Sequence, residues 1–236
     1  MINFLKKPKD LASEVPEIKK YEKKILKKIK NLTMTSFERQ FSLIKSVEYI
    51  IQNKIQGDVV ECGVWRGGNM VLVAEIMKKM KTFRKLWLYD TFEGMTKPSS
   101  YDRSFRSGRA IKKFFEKKIG SNSSDWCFAS IEEVKKNLKK TKYPTKLLKF
   151  IKGPVEETLV QHKPKKISIL RLDTDWYSST KKELEILYPK LVKNGVIIID
   201  DYGHWEGCRK ACDQYFKNKK ILLHRIDYTC RIGIKT

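Results

Sequence analysis

No apolar run in the 236-residue sequence reaches the roughly 20 residues that a membrane span needs, so a spanning helix is not expected. The opening stretch MINFLKKPKDLASEVPEIKKYEKK lacks a sustained apolar core and a small-residue cleavage site, which argues against a signal peptide. The five cysteines (Cys62, Cys127, Cys208, Cys212 and Cys230) are odd in number and form no CxxC pair. A disulfide framework is thereby disfavoured, and the thiols read as reduced, in a cytoplasmic protein. Neither an internal repeat nor a low-complexity linker interrupts the chain, whose length suits one domain with a well-buried core and a helical extension.

Acid is also in short supply. Against 51 Lys and Arg stand only 27 Asp and Glu, giving a formal charge of +24. One reading is a polyanionic partner: nucleic acid, an acidic membrane surface or a phosphorylated substrate. The other is a lysine-rich composition without a partner. Lys far outnumbers Arg and spreads over nearly every helical stretch, whereas readers of phosphates and bases favour the planar fork of Arg. The second reading is therefore preferred. Part of the excess lies in KKYEKKILKKIKN (19–31), a basic amphipathic helix that either rests peripherally on acidic headgroups or is solvated with a narrow apolar stripe.

The apolar pattern alternates between helix and strand periods. Ile25, Ile29 and Leu32 share a helix face, and SFERQFSLIKSVEYIIQNK (36–54) forms a stronger helix with Ser36 as its cap. Strands are expected at 58–62, 85–90, 146–153, 166–173 and 196–200, with two closing strands in ILLHRIDY and CRIGIKT. Helices are expected from about Asn69, near 110–118, at 130–140 behind a Ser130–Glu133 capping box, at 179–195 up to a Gly stop, and at 206–217. The long polar loop TFEGMTKPSSYDRSFRSGR suits a mobile lid near 95–110. Alternation of this kind predicts an α/β fold with a doubly wound, mostly parallel sheet. The division expected is an N-terminal helical extension, 1–56, packing on a core of 57–236.

In such sheets ligands sit beyond the carboxyl ends of the strands, and that is where the scarce acids gather. In VVECGVWRGG, Gly63, Gly67 and Gly68 follow a strand and precede a helix, a turn that lets backbone approach a ligand. Asp90 ends the next strand, where an acid can accept ribose hydroxyls or simply start a turn. Glu61 would repel a pyrophosphate but would receive an ammonium group. That favours S-adenosylmethionine over NAD.

Asp173 and Asp200 stand 27 positions apart, about one helical crossover, so their strand ends can be neighbours. With Asp201 they offer carboxylate oxygens suited to Mg²⁺, which would also remove their repulsion. A hydroxyl held there loses its proton readily, and Asp173 can take it. Asp175 is expected to point away from Asp173 if extended geometry continues. His204, Cys208 and Cys212 recur at helical spacing, a weak zinc pattern without a fourth ligand; His204 is of more interest as a substrate contact or auxiliary base. Trp65, Trp176, Tyr177, Tyr202 and Trp205 lie in the same loops, as walls of a site or as ordinary packing.

With these residues in place, the chain resembles the macrocin O-methyltransferase (TylF-type) family, a branch of the class I methyltransferases. The resemblance runs from about residue 33 to about residue 228, and its specific parts are GDVVECGVWRGGN, LYDTFEGM, KGPVEETL, LRLDTDWYSST and IIIDDYGHWEGCRKACDQYF. It implies a seven-stranded Rossmann-like sheet, S-adenosylmethionine, Mg²⁺ and methylation of a hydroxyl, often on a sugar. It further implies metal ligation by Asp173, Asp200 and Asp201, with Asp173 also the base. The cofactor region would include Glu61, Gly63, Gly67, Asn69 and Asp90, closed over by Thr33, Met34 and the segments around Ser130 and Gly153. The basic lid differs from the family's pattern and fits an acceptor sugar linked to a nucleotide or lipid better than a macrolide. Two rivals remain: a nucleic-acid methyltransferase and a non-catalytic polyanion-binding module. The first is disfavoured because DTDWY stands where base amino-methylating enzymes carry an Asn/Asp-Pro-Pro-Tyr stretch. A homo-oligomer is left open.

Overall fold

The computed structural model describes residues 15–236. Residues 1–14 of the expected extension lie outside the described part. From the amino end come α1 (Lys20–Ile29), α2 (Phe37–Gln52), β1 (Asp58–Cys62), α3 (Gly68–Lys79) and β2 (Leu86–Asp90). A short hairpin, β3 (Arg103–Ser104) and β4 (Gly108–Arg109), runs into α4 (Ala110–Lys117), followed by α5 (Ile131–Lys139), β5 (Leu148–Lys152) and α6 (Val155–Gln161). The chain closes with β6 (Ile167–Leu172), α7 (Tyr177–Leu187), β7 (Leu191–Ile199), α8 (Glu206–Phe216), β8 (His224–Arg225) and β9 (Arg231–Ile234).

Seven strands make the main sheet in the order β5-β2-β1-β6-β7-β9-β8. The first five are mutually parallel, and β9 runs antiparallel between β7 and β8. This is the doubly wound sheet that the alternating pattern predicts. All six residues of β6 are buried, as a central strand covered on both faces requires. One apolar layer joins α1, α2, α3 and α5 to a face of the sheet, while α6, α7 and α8 cover the other. Because Ile25, Ile29, Ile44, Val47 and Ile50 belong to the first layer, the N-terminal helices share the core of the sheet.

The order of strands reverses between β1 and β6, which opens a crevice above their carboxyl ends. Register levels those ends: Cys62 lies opposite Leu172, and Leu172 opposite Ile199. The ladder continues one step past the strands, where Asp173 N donates to the Cys62 carbonyl at 2.8 Å and Asp200 N to that of Leu172 at 2.9 Å. Asp173 and Asp200 therefore emerge side by side.

Two local expectations are revised. The helix anticipated over 179–195 stops at Leu187, because Pro189 cannot continue it and a single 3₁₀ turn, Tyr188–Lys190, takes its place. Gly195 thus lies inside β7, within an irregularity where pairing jumps from Leu191 to Val196 and Asn194 adopts a positive φ of 63°. The anticipated loop over 91–109 carries the β3–β4 hairpin. Buried Asp102 anchors it, accepting from Ser99 N at 2.6 Å, Ser99 Oγ at 2.7 Å and Tyr177 N at 2.8 Å, the last at the amino end of α7.

The attachment of α1 is electrostatic as well as apolar. Glu48 of α2 receives Lys19 Nζ at 2.6 Å, Lys45 Nζ at 2.9 Å and Tyr21 OH at 2.9 Å. Burial raises the pKa of Glu48, but these donors outweigh it and hold the carboxyl at about 2. A depressed folded pKa gives stability that is complete above the ordinary value of 4.5 and fades as pH falls toward about 2. Glu48→Gln should cost about 1–2 kcal/mol at neutral pH. In urea unfolding that difference should shrink below pH 4.5 and nearly vanish by about pH 2.

Candidate active site

The glycine turn after β1 is shaped by contacts that a side chain would break. Gly63 has φ 79°, and a Cβ there would collide with the carbonyl of Asp173. Gly67 also has φ 79°, and its missing Cβ leaves room for Val134 of α5, whose Cγ1 would otherwise lie 2.9 Å away. Just beyond, Asn69 at the start of α3 donates to Glu61 Oε1 at 3.1 Å and accepts from Thr35 Oγ1 at 3.3 Å and Thr33 Oγ1 at 3.5 Å. The connection between α1 and α2 is thereby tied to the turn.

Asp90 closes this half from the end of β2. Its Oδ2 accepts from Val64 N at 2.7 Å and Trp65 N at 3.1 Å, while Oδ1 accepts from Phe92 N at 2.8 Å. Oδ2 is therefore committed to holding the glycine turn. Oδ1, with Thr91 Oγ1 distant at 3.4 Å, retains capacity for an outside hydroxyl.

Across the crevice, Asp173, Asp200 and Asp201 each present an oxygen, all within 4.8 Å of one another. No other such group of three candidate metal ligands occurs among the described residues; His204, Cys208 and Cys212 do not form one. Cys208 and Cys212 are buried in the α8 core layer, whereas the His204 ring stands edge-on against Trp205 and Tyr228.

Repulsion among the acids is met from below by two guanidinium groups. Buried Arg171 bonds to Glu61 at 2.8 Å and Asp173 at 2.6 Å through Nη1, and to Asp200 through Nη2. Arg39, from the first turn of α2, reaches the other oxygen of Asp200 at 2.5 Å and Asp227 at 2.9 Å. Neither arginine stands among the site residues inferred from sequence, yet each carried a signal. Arg171 is a lone cation inside the apolar strand ISILRL. Arg39 sits in the first turn of a helix, where the dipole disfavours positive charge unless something else holds it.

Asp175 departs from expectation. Extended geometry does not continue past β6; Asp175 takes φ 67°, and its carboxyl lies in the site, where Trp205 Nε1 donates to it at 2.7 Å. Burial and the charge of Asp173 raise its pKa to about 7, while a bond with Asp201 lowers it. Asp201 is raised well above the usual carboxylate range by burial and by Asp175, Asp173 and Asp200. A buried Asp201 oxygen, Oδ2, has no hydrogen-bond partner. Burial first, and Asp173 second, lift Asp200 to about 6 despite its arginines.

A cavity of about 1000 Å³ joins the two halves. Thr33, Met34, Gly63, Asn69, Asp90 and Gly153 face it with Asp173, Asp200, Asp201 and His204. Glu61, Gly67 and Ser130 stand behind its wall: Glu61 pairs with Arg171, and Ser130 Oγ caps α5 by accepting from Glu133 N at 3.2 Å. Only the Ser130 half of the anticipated capping box is recorded, and Glu133 pairs with Arg66 at 2.7 Å. Of the anticipated aromatic walls, Trp65 and Trp205 reach the cavity. Trp176 is buried edge-on against Trp205, and the Tyr177 and Tyr202 hydroxyls bond to Gln214 and Asp213. Trp126, within the segment that follows α4, supplies a wall that the sequence pattern did not reveal. Burial lowers the pKa of His204, helped by the nearby charges of Arg106, Lys113 and Arg39, so the ring is neutral at pH 7.

The sheet order, the glycine turn at the switch point and the acid that closes it define a class I methyltransferase fold. The chain belongs to the macrocin-O-methyltransferase (TylF) family, whose model matches residues 17–232, and it is an S-adenosylmethionine-dependent O-methyltransferase. It is 30% identical over 184 residues to demethyldecarbamoylnovobiocin O-methyltransferase of Streptomyces niveus, a match covering 78% of this chain and 67% of the relative. Mycinamicin III 3''-O-methyltransferase of Micromonospora griseorubida is 28% identical, covering 78% and 69% of the two chains. The solved structure of the O-methyltransferase NovP superposes with a TM-score of 0.74 at 27% identity, covering 87% of this chain and 82% of the other. The calicheamicin methyltransferase CalS11, at 17% identity and a TM-score of 0.60 over 97% and 98%, shares the fold.

Removing Arg171 leaves buried Glu61 and Asp200 and half-buried Asp173 without their common partner. Arg171→Met should therefore destabilise the protein by about 3–5 kcal/mol, read as a lower urea midpoint. An unchanged midpoint would show that the acids do not depend on the guanidinium.

Proposed function

We propose that this enzyme methylates a hydroxyl of a sugar or related polyol, with Mg²⁺ on Asp173, Asp200 and Asp201 and the methyl donor in the glycine-turn half of the cavity. The observation that carries the reading is one cavity shared by Asp90, the glycine turn and the acid triad. The donor set fits a hard divalent cation. The guanidiniums of Arg171 and Arg39 pair with Glu61, Asp173, Asp200 and Asp227 but reach neither Asp175 nor Asp201, and a buried Asp201 oxygen is unpartnered. When bound, the ion supplies Lewis acidity that lowers the pKa of an acceptor hydroxyl.

The remaining work belongs to side chains. Asp90 Oδ1 receives a ribose hydroxyl of the donor, and Thr33, Met34, Asn69 and Gly153 line the same end. Asp173 takes the hydroxyl proton as the new oxygen–carbon bond forms and the sulfonium sulfur–methyl bond breaks. Arg171 keeps Asp173 and Asp200 in position, and neutral His204 accepts a hydrogen bond from the acceptor or serves as a second base. Trp65, Trp126 and Trp205 keep water from the sulfonium. Sugar chemistry draws support from relatives whose names specify it, including a tetracenomycin rhamnosyl 4'-O-methyltransferase that is 30% identical.

Asp173→Ala should reduce methyl transfer by about 10²–10⁴-fold with the circular dichroism spectrum unchanged. Chelation of divalent metal should do the same reversibly, with Mg²⁺ restoring turnover. Full turnover in chelator would remove the metal from the reading. Asp90→Asn should weaken S-adenosylmethionine binding by about 1–3 kcal/mol in calorimetry; equal affinity would sever Asp90 from the cofactor.

A further inference from the structure

The aspartates at the strand ends occupy one part of the cavity wall, and a mainly basic stretch that also includes Glu116 occupies another. Arg109, Lys112 and Lys113, at the junction of β4 and α4, all line the wall, and none has a salt-bridge partner among the described residues. Arg109 is the N-cap of α4 and Lys112 and Lys113 follow in its opening turn, where the amino end of the helix also favours an anion and where a helix by itself gains nothing from Lys. The cluster faces the reaction centre. Lys113 Nζ lies 4.2 Å from the centroid of Trp126, whose ring is 6.1 Å from that of Trp205, and Trp205 Nε1 holds Asp175 at 2.7 Å. The hairpin that carries Arg109 is anchored by buried Asp102, whose carbonyl also accepts Ala110 N at 3.0 Å.

A neutral acceptor would leave these cations unanswered in the cavity that binds it. We infer that Arg109, Lys112 and Lys113 form a phosphate subsite, and that the acceptor sugar carries a phosphate or diphosphate seated there while its hydroxyl lies among Asp173, Asp201 and His204. This rests on the sugar-hydroxyl reading and specifies its substrate class. A nucleoside diphosphate sugar and a lipid diphosphate sugar present the same group to the cluster.

The test begins with inorganic pyrophosphate titrated calorimetrically into the full chain, in buffer with chelator so that no metal mediates the contact. Saturable one-to-one binding is expected, weakened about tenfold or more in the combined Arg109→Gln, Lys112→Gln, Lys113→Gln variant. S-adenosylmethionine affinity should stay within about twofold, which also certifies the fold. No pyrophosphate binding, or binding that the variant leaves unchanged, overturns the subsite. Labelled methyl transfer to a nucleoside diphosphate sugar, a lipid diphosphate sugar and the uncharged glycoside then identifies the carrier. For the charged acceptor used, the variant should raise KM about tenfold or more with little change in kcat. An uncharged glycoside methylated by the parent protein as efficiently as the charged acceptors, with the variant unimpaired on the charged ones, overturns the subsite and leaves the sugar reading standing. Methylation of none of the three, with S-adenosylmethionine still bound, strikes at the sugar reading instead and leaves the pyrophosphate result to judge the cations.

Discussion

Arg171 is the interaction on which the rest depends. A parallel sheet delivers the ends of β1, β6 and β7 to one place, and this chain puts a carboxylate on each. Without a buried cation those acids would repel or take up protons. One guanidinium fully inside the sheet touches Glu61, Asp173 and Asp200 together. Its planar fork reaches oxygens on different strands, which an ammonium could not do with fixed geometry. The cluster nevertheless stays short of positive charge, since Asp175 and Asp201 share an acid contact that no cation neutralises. That deficit is the structural basis for expecting a divalent ion.

The N-terminal helices are part of this economy of charge. Arg39 crosses from α2 to Asp200, and Asp227, between β8 and β9, takes its other nitrogen. Thr33 and Thr35 bond to Asn69, which in turn holds Glu61. Helices that look like an extension in sequence thus meet the crevice on both the glycine-turn and the acid side. They share one buried apolar core with α3.

The outer half of the cavity follows a different logic. Around the acids most groups are buried and paired; at the start of α4, Arg109, Lys112 and Lys113 are exposed and have no salt-bridge partner among the described residues. The hairpin anchored by Asp102 holds the second set over the first. The overall charge of +24 is mostly lysine dispersed over the helices, so the few cations aimed at the crevice matter by position rather than by number.

The α/β class, the parallel sheet, the glycine turn and the acids at the strand ends were legible in the sequence, because apolar period and strand-end chemistry are local properties. The placement of Asp173 beside Asp200 followed from one crossover length. Pairing of the acids with Arg171 and Arg39 was not legible, since those contacts join residues 29 and 161 positions apart and depend on strand register and helix packing. Asp175 was misread because residues two apart on an extended strand share a face, so alternation gave no ground for turning it away from Asp173; the left-handed φ that takes it to Trp205 Nε1 is announced by no local period. Tertiary structure alone decided which aromatics reach the cavity, that the glycine turn is held by Asp90 Oδ2, and that the basic segment after β4 lines the same cavity. The chain's pattern sets which elements form; only their packing determines which charges must share a low-dielectric space.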